Sequence, residues 1–127
     1  MLYAILCYDD EAAVGAWTKD EDDACMARLA AVQQNLARQG KLGPVARLLP
    51  TTAATTLRKS KEDLVIDGPF AETKEQLLGF YIVDVASLDE VLAIARDLAR
   101  ANPSNGSYEI RPVGVFNPVT AETVEPA

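Results

Sequence analysis

Residues 2–8 read Leu2-Tyr3-Ala4-Ile5-Leu6-Cys7-Tyr8, and residues 79–85 read Gly79-Phe80-Tyr81-Ile82-Val83-Asp84-Val85. Side chains along a strand point alternately to its two faces. Both segments are apolar on both alternating sets, apart from Asp84. A strand of that kind is covered on both sides. The segments are therefore expected to be buried strands, and the rest of the chain must supply their cover.

Working outward, Thr18 followed by Glu21 forms a capping box, and Asp20 to Asp23 place negative charge in a first helical turn. Cys25, Leu29, Val32 and Leu36 recur at helical spacing, and Gly40 is a suitable stop. The spacing predicts a helix from there to about Gln39, after a loop over Asp9 to Trp17. Leu42 to Leu49 is expected to be a strand, starting after Pro44. Ala53 to Lys59 and Leu64 to Asp67 read as a hairpin turning at Ser60 to Asp63. Thr73 and Gln76 are placed to cap a short helical turn over Lys74 to Leu78. Ser87 with Glu90 is a second capping box, opening a helix with Leu88, Val91, Leu92, Ala95, Leu98 and Ala99 on one face. That helix ends before Asn102-Pro103, and Tyr108 to Val113 is the last strand.

The order is strand, helix, strand, hairpin, strand, helix, strand. It predicts an α+β fold: a ferredoxin-like split βαβ antiparallel sheet with two helices on one face. The helix-free face, expected to carry Tyr3, Ile5, Tyr81 and Val83, would then be a wide apolar patch. Patches that large mark interfaces. The simplest cover is the same face of a second copy, giving a homodimer with two-fold symmetry. The alternative cover is the mid-chain hairpin or the tail.

The chain has 127 residues, the usual size of one domain. The domain is expected over 1–116, with a loose tail over 117–127, where Pro, Thr and Glu are frequent. Twelve basic and 19 acidic residues give a net charge of −7. An acidic chain is repelled by phosphate backbones, so nucleic acid is not expected as a direct partner. Arg58, Lys59 and Lys61 read as a solvated hairpin tip. The apolar amino terminus lacks a basic leader and is too short to span a bilayer, so no membrane partner is expected. Two cysteines in apolar surroundings point to a reduced, cytoplasmic protein.

There is no histidine. That removes Ser-His and Cys-His nucleophiles, His general bases and His metal ligands. No cysteine cluster replaces them, so no metal is expected. No G-x-G-x-x-G or P-loop occurs, and no cofactor is expected.

Asp67-Gly68-Pro69-Phe70, continuing through Ala71-Glu72-Thr73-Lys74-Glu75 to Leu78-Gly79-Phe80-Tyr81-Ile82-Val83, closely resembles the DGPF or YCII-related proteins. Tyr3-Ala4-Ile5-Leu6-Cys7-Tyr8 and Glu109-Ile110-Arg111-Pro112-Val113 are similar to the same family, so the resemblance runs to about Phe116. It implies a dimeric α-β barrel, in which two ferredoxin-like sheets pack face to face. It also implies kinship with small bacterial proteins, some of which accompany or are fused to sigma factors. YCII relatives carry a His-Asp pair proposed as catalytic; with no histidine, that pair does not carry over to this chain.

Asp67, Glu72 and Lys74 are the residues expected to carry any acid–base chemistry. Each has a structural alternative. Asp67 before Gly68 can cap its own turn, and Glu72, Lys74 and Glu75 can be a solvated charge run. Gly68 and Pro69 re-aim the chain, with a cis bond open as one means. Phe70 is either a packing anchor or a ligand contact. Arg47 and Arg111 interrupt apolar strands, so each needs an anion, water or an ion pair such as Glu109 or Asp84 supplies. Tyr81 can offer a hydroxyl to the same site or simply pack. The expected function is small-molecule binding, with cofactor-free acid–base chemistry as its catalytic form. The alternative is a non-catalytic interaction module linked to transcription. A relative of cofactor-free monooxygenases, by fold analogy, would need an apolar cavity for an aromatic substrate.

Overall fold

The computed structural model describes residues 1–118. The first strand, β1 (Leu2–Asp9), leads through a short helix, α1 (Glu11–Gly15), into α2 (Lys19–Arg38). Strand β2 (Leu42–Arg47) follows, then a single 3-10 turn (Thr51–Ala53), β3 (Thr55–Arg58), β4 (Leu64–Asp67), β5 (Gln76–Asp84), α3 (Leu88–Ala101) and β6 (Ser107–Pro112). β2, β5, β1 and β6 lie in that order in one sheet. Each neighbouring pair is antiparallel. This is the ferredoxin-like α+β arrangement. β3 and β4 form a separate two-stranded sheet.

Local chemistry sets the helix starts. Thr18 Oγ1 accepts the Glu21 N–H at 3.1 Å, and Glu21 Oε1 accepts the Thr18 N–H at 3.3 Å. Ser87 Oγ accepts the Glu90 N–H, closing one half of the second box. The segment expected as a loop over Asp9 to Trp17 contains α1, because Asp10 Oδ1 accepts the N–H groups of Ala12 and Ala13 and caps a single turn. β2 begins at Leu42 rather than after Pro44. It is an edge strand, and a bulge between Leu42 and Val45 absorbs the proline. The turn expected over Lys74 to Leu78 is instead the start of β5, because Gln76 pairs with Asp9 in the sheet.

The assignment of the two sheet faces differs from expectation. Tyr3 pairs with Val83 and Ile5 with Tyr81, and these four are buried with the helices. They pack with Cys25, Leu29 and Leu36 of α2 and with Val91, Ile94 and Leu98 of α3. Ile94 and Ala101 join the buried stripe of α3, whereas Leu88 is exposed. The helix-free face carries the other alternating set: Ala4 opposite Ile82, and Leu6 opposite Phe80, all half-buried. Both sets are apolar, so alternation could not distinguish them; side-chain packing under the helices does. The expected loose tail over 117–127 lies, from residue 119, outside the described residues.

A side-chain hydrogen bond joins α2 to the end of α3. Arg28 Nε donates to the Ala101 carbonyl at 2.8 Å, and the Cys25 thiol lies against the same oxygen. This satisfies a carbonyl at the end of α3 that has no partner within the helix.

Gly79, in the middle of β5, faces Arg47 of β2. A Cβ there would collide with the Ala46 carbonyl oxygen. Gly79→Ala is expected to lower unfolding stability by about 1–3 kcal/mol, read as a lower urea midpoint at unchanged slope. An unchanged midpoint would show that β2 can move aside.

Candidate functional site

β4 ends at Asp67, where the chain turns sharply. Gly68 has φ +105, a conformation that glycine adopts without a Cβ clash. Its N–H donates to the Ala54 carbonyl at 2.8 Å, and its carbonyl accepts from Thr56 Oγ1 at 2.8 Å. The turn is therefore pinned to β3. No cis peptide bond occurs among the described residues, so Gly68 and not a cis Pro69 re-aims the chain. The loop is then held by Gln76, whose side-chain amide donates to the carbonyls of Ala71 and Thr73.

This loop forms one wall of a cleft of about 520 Å3. Asp67, Glu72 and Lys74 line it together with Asp10, Glu11, Thr51 and Thr52. Among the described residues, no hydrogen bond or ion pair engages the side chains of Asp67, Glu72 or Lys74. Asp10 caps α1, and Glu11 clamps Thr51 through Oε1 to its N–H at 2.8 Å and Oε2 to its hydroxyl at 2.6 Å. The lining thus holds four carboxylates and one ammonium group. Its field favours a cationic or hydroxyl-rich guest. No group of three or more His, Cys, Asp or Glu among the described residues is placed to hold a metal ion.

The remaining candidates lie elsewhere. Phe70 is 81% exposed and does not line this cleft; it lies beside Tyr8, Lys74 and Leu77. Arg111 pairs with Glu109 at 3.1 Å on the helix-free face, and Tyr8 donates to the same glutamate. Arg47 is bound to Asp22 of α2 at 3.4 Å and its Nη1 lies 3.2 Å from Met26 Sδ. Tyr81 is buried beneath α2. Arg47 and Tyr81 share a second, smaller cavity of about 140 Å3, between α2 and the sheet. The fold thus separates the expected residues into a polar cleft, an apolar cavity and an outer face. Asp10, Glu11, Thr51 and Thr52 were not expected at the site. The acidic pair Asp10-Glu11 directly after β1 was the visible signal for the first two.

A ferredoxin-like α+β domain with a loop-walled polar cleft at one end of its sheet is the class that fold and site define. Residues 1–117 match the family described as YCII-related domain, and the chain belongs to it. It is similar to a protein of Rhizobium meliloti (strain 1021) named as uncharacterised, at 64% identity over 119 residues, covering 93% of this chain and 96% of that protein.

Burial dominates the titration of the inner cavity. It pushes the Cys7 thiol up to about 12, and it raises Cys25, Tyr81 and Tyr108 as well. The fold therefore favours the neutral thiol. Unfolded Cys7 loses its proton near 9.0, whereas the folded chain holds it to about 12. In that window the unfolded state binds fewer protons, so stability falls as pH rises. Urea midpoints measured upward from pH 9.0 are expected to decline, and more gently in Cys7→Ala. Equal slopes in both proteins would assign the decline to other groups.

Proposed function

We propose that this protein binds a small polar molecule in the cleft beside the Asp67-Gly68-Pro69-Phe70 turn and works as a homodimer of the dimeric α-β barrel type. One observation carries the binding reading: three charged side chains, Asp67, Glu72 and Lys74, meet at a cleft without serving the fold. Charged groups that stabilise nothing internally are available to a ligand. The preponderance of carboxylates points to a guest bearing an amine or several hydroxyls. If the guest is turned over, Glu72 or Asp67 is the base and Lys74 the acid of a cofactor-free proton transfer.

The dimer reading rests on the helix-free face. Leu6, Phe80, Ala4 and Ile82 stand side by side there. At about 25 cal/mol per Å2, covering a few hundred Å2 of such surface contributes several kcal/mol. No helix among the described residues is long and apolar enough to cross a membrane. Two free cysteines fit a reducing, cytoplasmic setting.

A second reading, an interaction module linked to transcription, draws support from the β3–β4 hairpin. Leu57, Leu64 and Val65 are exposed on it. An isolated two-stranded sheet is marginal in water, so a partner surface would steady it.

Thermal shift with a panel of amines, amino sugars and matched carboxylates tests the binding reading. Amine-bearing members are expected to raise Tm, by about 2.7 kcal/mol of stability at a hundred times Kd. Asp67→Asn and Glu72→Gln should each abolish the shift. Silence across the panel, or a shift that survives both variants, would transfer the case to the interaction module.

Sedimentation is expected to give twice the 13.7 kDa chain mass at micromolar concentration, and Phe80→Lys to give single chains. A wild-type chain that sediments alone would end the dimer reading.

A further inference from the structure

We infer that the cavity between α2 and the sheet is a second binding site, for a neutral molecule of one aromatic ring carrying a single hydrogen-bond donor. The site is separate from the polar cleft and does not depend on it.

The cavity follows from local structure. Gly79 lies in its floor and contributes no side chain, and a Cβ there would strike β2, so the space cannot be filled from that position. Its apolar wall includes Trp17, Cys25, Leu29 and Tyr108. At about 140 Å3 it is close to the roughly 150 Å3 cavity that is known to take up benzene in another protein. Water in a cavity with such a lining finds few hydrogen-bond partners, and an apolar guest that displaces it gains dispersion contacts with the wall.

Charge and polarity narrow the guest. The charged groups lining the cavity, Arg47 and Asp22, face each other at 3.4 Å and are partly exposed. They neutralise one another, and parting an exposed pair costs little, so they leave a route inward without selecting a charged guest. The wall thiols and tyrosines stay neutral because burial disfavours their ionised forms. An ionised guest would lose its hydration with nothing to replace it. One wall residue asks for more than apolar contact: Asn102 Oδ1 is buried with no hydrogen-bond partner. Such an oxygen is costly unless a donor reaches it. A hydroxyl or ring N–H on the guest meets that need after a small turn of the amide.

The test uses the full chain with phenol, benzene and benzoate as probes. The reporters are Tm and the indole N–H resonance of Trp17, the single tryptophan. Phenol is expected to shift the resonance saturably and to raise Tm, benzene to do so more weakly, and benzoate to do neither. Asn102→Leu should weaken phenol about tenfold, to the level of benzene. Cys7→Leu, which fills the space, should abolish both responses; Leu29 methyl resonances that move with phenol in the wild type provide the same localisation without a variant. No saturable response to phenol in the wild type, a response that Cys7→Leu leaves unchanged, or benzoate binding as well as phenol would each overturn the inference.

Discussion

The pairing of β1 with β5 is the constraint on which the rest depends. It sets Tyr3 beside Val83 and Ile5 beside Tyr81, and it directs all four under the helices. Ile5 and Val83 have no exposed surface, as do Val91 and Leu98 of α3 above them. A slip of one residue would turn every one of these side chains to the opposite face. The same register puts Gln76 against Asp9, which ends the loop of the polar cleft where β5 begins.

Two backbone positions convert that sheet into cavities. Gly68, in a left-handed conformation, sends the chain away from β4 and lets Asp67, Glu72 and Lys74 meet Asp10 and Glu11 across open space. Gly79 allows β2 to approach β5 closely while leaving the space under α2 unfilled. One glycine thus shapes a polar cleft, and the other an apolar cavity. The difference in lining follows from position: the first lies among loop and helix-start residues, the second beneath a helix.

The helix-free face brings a third environment. Leu6 and Phe80 lie beside Tyr8 of β1 and Glu109 and Arg111 of β6, which form a short polar chain across the two strands. Phe70 stands exposed near Tyr8 and Leu77, at the edge of this surface. Apolar centre and polar margin are the usual layout of an interface.

The order of the strands, both long helices and the hairpin were legible in the sequence, because capping boxes, helical spacing and turn residues act within a few positions; the short α1 was not. So was the meeting of Asp67, Glu72 and Lys74 near one turn, since they are close along the chain. Which side of β1 and β5 faces the helices was not legible. Both alternating sets are apolar, and only packing with residues such as Leu29, Val91 and Leu98 separates them. Asp10, Glu11 and Thr51 reach the cleft, and Arg47 and Tyr81 the inner cavity, through contacts between distant segments. Sequence determined what each segment could become; only tertiary structure decided which residues share a cavity, because that depends on long-range register and on where two glycines leave space.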